Sequence, residues 1–119
     1  MRAALERFRS IRQRFGLRGK IQIHHILCKE HAHLVDIDIN CRQNLMFMPT
    51  REGMAKMNLR EERLIHDGGH LKYNAYVGAL LRELLQNATT PMVAYAAASV
   101  LQSELRKRIT SDDPTLPWT

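Results

Sequence analysis

Two adjacent histidines, His24 and His25, close a run of β-type residues, Lys20-Ile21-Gln22-Ile23-His24-His25-Ile26, and this pair constrains the chain more than any other feature. Neighbouring side chains on a strand point to opposite faces. Both rings can therefore serve one cleft only where the strand ends or twists. A strand over 20–27 with a functional end is expected. A second run, Gln43 to Met48, is stopped by Pro49, which cannot donate to a strand ladder. The two runs are expected to pair as an antiparallel hairpin. Further on, His66, His70 and Asn74 recur every four residues, the spacing that stacks side chains on one helix face. Such an arrangement can gather a metal ion and leave one imidazole for proton transfer.

The order of these motifs is His24-His25, then Asn44-Leu45 ahead of Met48-Pro49, then His66-x3-His70-x2-Tyr73-Asn74. It resembles the HNH/endonuclease VII superfamily of ββα-metal nucleases, closest to the branch named for its Ala-His-His signature. Ile23 stands where that branch has alanine, and Met48-Pro49 where Leu-Pro is usual; both keep apolar character. The resemblance runs from Gln22 to Val77, roughly half the chain. It implies an α+β fold with a ββα-metal core, a two-stranded antiparallel hairpin plus a helix, and further helices N- and C-terminal to it. It also implies that His24 binds metal and that His25 is the general base. Asn44 matches the family's central asparagine, whose amide ties the loop between the strands through backbone hydrogen bonds. The second nitrogen of His25 is, in the family, held by a carbonyl of that loop, which this sequence does not locate.

The chemistry so implied is phosphodiester hydrolysis. It needs a nucleophilic water, charge relief on the phosphate and help for the leaving oxygen, and a single divalent ion supplies the last two. A neutral histidine, with an ordinary pKa near ~6.5, can take the proton from water. Two ligand sets stay open. His24, His66 and His70 make an imidazole-rich site that favours zinc, nickel or another transition metal. Alternatively, Gly68-Gly69 interrupts the helix, His66 falls outside it, and His70 with Asn74 supplies a harder set that admits magnesium or manganese. Tyr73 either packs or contacts phosphate. A separate structural zinc site from Cys28, His31, His33 and Cys41 is the competing use of these residue types. Otherwise His31 and His33 are loop histidines. Met46, Met48, Met54 and Met57 are read as packing residues.

Charge is informative once it is located. Residues 1–20 carry seven basic side chains against Glu6 alone, whereas the rest of the chain is balanced, so the net charge of +6 sits at the N-terminal end. Ala4, Leu5, Phe8, Ile11 and Phe15 form a helical stripe anchoring this segment, with Gly16 as its stop and the arginines outward. Arg9, Arg12, Arg14, Arg18 and Lys20 are the expected nucleic-acid contacts, suited to a phosphate backbone. Double-stranded DNA is the first candidate, read with little sequence specificity. A catalytically inactive binding module of the same fold is the alternative.

A chain of 119 residues with 45% hydrophobic and 25% charged content fits one globular domain. The expected organisation is a basic helix over 1–19, the core over 20–86, a last helix within 90–110 and a loose tail over 111–119. Residues 28–42 read as a loop with a short strand at 34–39. Asn58 and Glu61 suggest a capping box opening a helix through Leu64. The catalytic helix is expected from near Gly69 to about Gln86, with Val77, Leu80, Leu81, Leu84 and Leu85 inward. Thr90-Pro91 caps the last helix; its alanines favour close packing, and Arg106, Lys107 and Arg108 suit the helix dipole. The apolar stripes of 71–109 suit either a homodimer interface or the monomer core. With no run of ~20 apolar residues, no signal-peptide pattern and only two cysteines, the expected setting is intracellular, cytoplasmic or nuclear, or delivery into a target cell.

Overall fold

A computed structural model describes residues 2–56, 64 and 70–118. Among them the elements run α1 (Arg2–Arg14), β1 (Ile21–His25), α2 (Lys29–Leu34), β2 (Leu45–Pro49), α3 (Arg51–Lys56), α4 (Leu71–Gln86) and α5 (Pro91–Thr110). A 3-10 turn over Arg42–Asn44 leads into β2. The chain is α+β, a two-stranded antiparallel hairpin with helices. No helix of the described residues is long and apolar enough to cross a membrane.

The hairpin register pairs Ile23 with Phe47, His24 with Met46 and His25 with Leu45. Paired residues share a face, so His24, Met46 and Met48 lie on one side and join the core with Tyr73 and Val77 of α4. On the other side Phe47 meets Phe8 of α1, ring centroids 4.8 Å apart. Both strands are shorter at the site end than the sequence suggests. The reason is Asn44: its carbonyl accepts from Ile26 N (2.8 Å) and its side-chain oxygen from Leu27 N (2.8 Å). The chain bends there instead of extending.

Helix α1 ends in a glycine-dependent cap. Gly16, at φ +65°, donates to the Gln13 carbonyl, and Leu17 donates to Arg12, the double hydrogen bond of a left-handed C-terminal cap. This early stop corrects one expectation. Phe15 leaves the helical stripe and is 66% exposed, with the Arg14 guanidinium 5.9 Å over its ring, while Phe8 alone does the aromatic anchoring.

Residues 28–42 are not a loop with a strand at 34–39; they contain α2. Its C-terminal cap uses Asp36 at φ +55°, with Asp36 N donating to His33 O and Ile37 N to Ala32 O. Aspartate tolerates the left-handed region better than most residues. Thr50 then fastens α3 to the start of β1. Its hydroxyl donates to the Gly19 carbonyl (2.8 Å) and accepts from Gly53 N (3.0 Å). The capping box at Asn58 and Glu61 lies outside the described residues.

Helix α4 begins at Leu71, and its buried face is Tyr73, Val77, Gly78 and Leu81. Leu80 and Leu85 are half-buried and Leu84 is 37% exposed, so the inner stripe is rotated toward the N-terminal half. Gly78 belongs to the buried face because its missing side chain admits the His31 ring: a Cβ there would stand 2.6 Å from His31 Nε2. Helix α5 starts as expected, with Thr90 Oγ1 accepting from Val93 N at 3.1 Å and Pro91 in the first turn. Its terminal arginines have specific partners instead of serving the dipole alone. Arg108 pairs with Asp113 (2.7 Å) and donates to the Tyr76 hydroxyl (2.8 Å). Hydrogen bonds from Thr115 and Arg108 hold the Asp113 carboxyl down at about 2. Residues 111–118 are therefore not a loose tail. Leu116 and Trp118 are buried, and the Trp118 carbonyl accepts from Tyr73 N.

Candidate active site

His24 is completely buried, and its ring belongs to a cluster of four. Its centroid lies 4.9 Å from His70, 5.2 Å from Tyr73 and 5.4 Å from Trp118. His70, Tyr73 and Trp118 are in turn 5.0–5.4 Å from one another. Three parts of the chain meet here: the end of β1, the start of α4 and the segment after α5. Tyr73 packs instead of contacting phosphate. It has no exposed surface, and its hydroxyl donates to the Ile26 carbonyl at 2.7 Å, tying α4 to the bend after β1. Burial pushes this phenol far above its ordinary value.

His25, the last strand residue, lies on the opposite face and lines a cleft of about 240 Å³ with Ile23, Cys28, Lys29, Ile39 and His70. The pair thus divides, His24 inward and His25 to the cleft, and His70 borders both. His25 Nε2 lies 2.9 Å from Asn40 Oδ1. An amide oxygen only accepts, so Nε2 is the donor here, and in a neutral ring Nδ1 is the nitrogen with the lone pair. Sequence reasoning missed Asn40. The element holding the second nitrogen is a side-chain amide instead of a backbone carbonyl.

Asn44 ties that arrangement together. Its Oδ1 accepts from Leu27 N, and its Nδ2 donates to the carbonyls of Leu27 and Ile39, both at 2.9 Å. Gln102 of α5 donates to the same Oδ1 at 3.0 Å. Ile39 directly precedes Asn40, so Asn44 holds the backbone that presents Asn40 to His25. Asn40 N is itself fixed by Asp38 Oδ1 at 2.9 Å.

For a metal ion, His24 and His70 are the donors brought together. Their centroid separation of 4.9 Å is compatible with two imidazoles on one ion at metal–nitrogen distances of ~2.0–2.1 Å and equally with edge-to-face ring packing. Burial pushes the His70 imidazole below its ordinary pKa, while hydrogen bonding by its own backbone and by Asn74 works the other way. The neutral form, the one that binds metal, is thereby favoured. Asn74 lies a turn into α4 with its amide oxygen buried beside His70. His66 lies outside the described residues. Among the described residues no three His, Cys, Asp or Glu side chains gather as a ligand group. The alternative zinc site is not assembled. His31 and His33, two apart on α2, face different ways: His31 is buried against Gly78 and His33 is exposed. Cys28 and Cys41 are free thiols.

Arg9, Arg14 and Arg18 are exposed, and Arg12 and Lys20 half-buried. Fold and site together define an α+β protein with a histidine-rich cleft at the end of a two-stranded hairpin. No known family model matches the chain, and no curated protein or solved structure matches it either.

Proposed function

We propose that this chain is a metal-dependent endonuclease that hydrolyses phosphodiester bonds of nucleic acid, double-stranded DNA in the first place, with β1, β2 and α4 as a ββα-metal core. The observation that carries the reading is the His25–Asn40 hydrogen bond at the cleft His25 shares with His70. A ring whose Nε2–H is held by an amide oxygen has its basic Nδ1 oriented, and in the cleft that atom can accept the proton of an attacking water. As His25 becomes cationic, the Asn40 oxygen stabilises the charge on the ring. His24, His70 and Asn74 would hold the divalent ion, with His66 as a further candidate. When bound, such an ion relieves charge on the phosphate and the leaving oxygen. The imidazoles favour zinc or nickel, and the amide oxygen extends the range toward magnesium and manganese. Arg9, Arg12, Arg14, Arg18 and Lys20 would track the backbone by charge, giving little sequence specificity.

A second reading has its own support. Complete burial of His24 under Tyr73 and Trp118 suits a packing residue, which would make the chain a catalytically inactive nucleic-acid-binding module. A homodimer is a further proposal, since Met92, Tyr95 and Val100 of α5 are all more than half exposed.

The test is plasmid and RNA cleavage by wild type and His25→Ala, each chelated and then supplied with magnesium, manganese, nickel or zinc. Cleavage by wild type, lost in the variant while metal binding persists, supports the nuclease. Nucleic-acid binding without cleavage under any metal supports the inactive module.

A further inference from the structure

A cavity of about 560 Å³ opens between α1, the turn before β2 and α5, within the ~300–1,000 Å³ range of ligand sites. Its polar lining is Arg42, Gln43, Ser99, Gln102, Ser103 and Arg106, and Phe8 and Leu45 add apolar wall. Two arginines line this space, and among the described residues no carboxylate does. The Arg106 side chain is pinned, with Nη2 donating to the carbonyls of Gln43 and Leu45 at 3.0 Å. Those partners are neutral, so they orient the cation without balancing it. Burial chiefly, and then the charge of nearby Arg42, push the Arg106 pKa down. An anion entering the cavity would offset that repulsion and meet guanidinium forks suited to phosphate oxygens.

The position gives the anion a source. Leu45 is the cross-strand partner of His25, and directly paired side chains share a face with Cβ atoms ~4.5–5.5 Å apart. The cavity therefore lies one strand over from the candidate base. Phe8 links it to α1 and the arginines there. A polyanion running from the cleft toward α1 would cross it.

We infer that this cavity binds a phosphate group, a phosphodiester of the strand flanking the one at His25, with Arg42 and Arg106 as counter-ions and the Ser103 hydroxyl as a donor. The polynucleotide source rests on the nuclease reading; the phosphate chemistry rests on the paired guanidiniums alone.

The test avoids catalysis. In chelator, amide NMR shifts are followed on adding inorganic phosphate to wild type, Arg42→Gln and Ser103→Ala, and binding of a short labelled DNA duplex is measured against salt. Arg42 and Ser103 are exposed, so both variants should fold. We expect phosphate to shift Ser99, Ser103 and Arg106 in wild type only. Arg42→Gln should weaken duplex binding several-fold and lower the salt slope by about one. Phosphate shifts with unchanged duplex affinity would uphold the pocket and assign it to a small phosphorylated ligand, overturning the strand assignment. Absent shifts with unchanged affinity would overturn the pocket, even if plasmid cleavage stands. Phosphate shifts in a wild type that neither binds nor cleaves nucleic acid would uphold the pocket and sink the nuclease.

Discussion

Asn40 and Asn44 are four residues apart and divide two tasks between the same side-chain chemistry. Asn44 is fully buried, and its carboxamide serves Leu27 N, Leu27 O, Ile39 O and Gln102, its full hydrogen-bonding capacity. Asn44→Ala leaves several buried groups unsatisfied, each costing ~1–3 kcal/mol. We expect a loss of roughly 3–5 kcal/mol in urea unfolding, and a loss under 1 kcal/mol would mean the bend holds without it. Asn40 is half-buried and gives its oxygen to His25. Asn40→Ala should leave urea unfolding nearly unchanged and cut cleavage on the order of 10–100-fold, the range for removing a partner that orients a functional histidine. Wild-type cleavage by this variant would show that His25 is oriented by something else. Asn44 was legible in the sequence from its place between the histidine pair and Met48-Pro49. Asn40 was not, because an asparagine in a polar stretch most often serves a local turn, and only the fold brings residue 40 to residue 25.

At the scale of elements, the long helices were legible because their signals are local. The Thr90-Pro91 cap and the Gly16 stop are written within a few residues of the ends they form. Helix α2 was not, since six residues are too few to show a period and its cap is Asp36 instead of glycine. Its placement depends on a contact the sequence does not announce, His31 seated on Gly78. A methyl group at 78 would collide with the imidazole at 2.6 Å. Ordinarily glycine to alanine in mid-helix gains ~1 kcal/mol. Here overpacking of ~1–3 kcal/mol should outweigh it, so Gly78→Ala is expected to lower the melting temperature. Unchanged or raised stability would mean that α2 can swing away from α4.

Across the whole molecule, the centre is a ring cluster built from His24, His70, Tyr73 and Trp118, of which local motifs mark the first three and not Trp118. Trp118 lies in the segment 111–119, whose two prolines suggest a loose tail, yet it closes the wall behind both histidines. Burial disfavours the charged form of an imidazole, which couples the fold to pH. His31 shows the effect away from the candidate metal ligands. Burial pushes its pKa down; Glu30 opposes this and Arg82 adds to it. The folded value therefore lies below the unfolded value near ~6.5. As pH falls, the unfolded chain takes up the proton first. Stability is complete above ~6.5 and is lost below it, at most ~1.4 kcal/mol per pH unit for each such group. His70 contributes in the same direction. Melting temperature should fall on acidification from about pH 7 to about pH 5, and His31→Gln should show a shallower fall. Parallel curves for wild type and variant would mean that His31 takes up its proton at the same pH folded and unfolded, so that its burial against α4 carries no pH dependence.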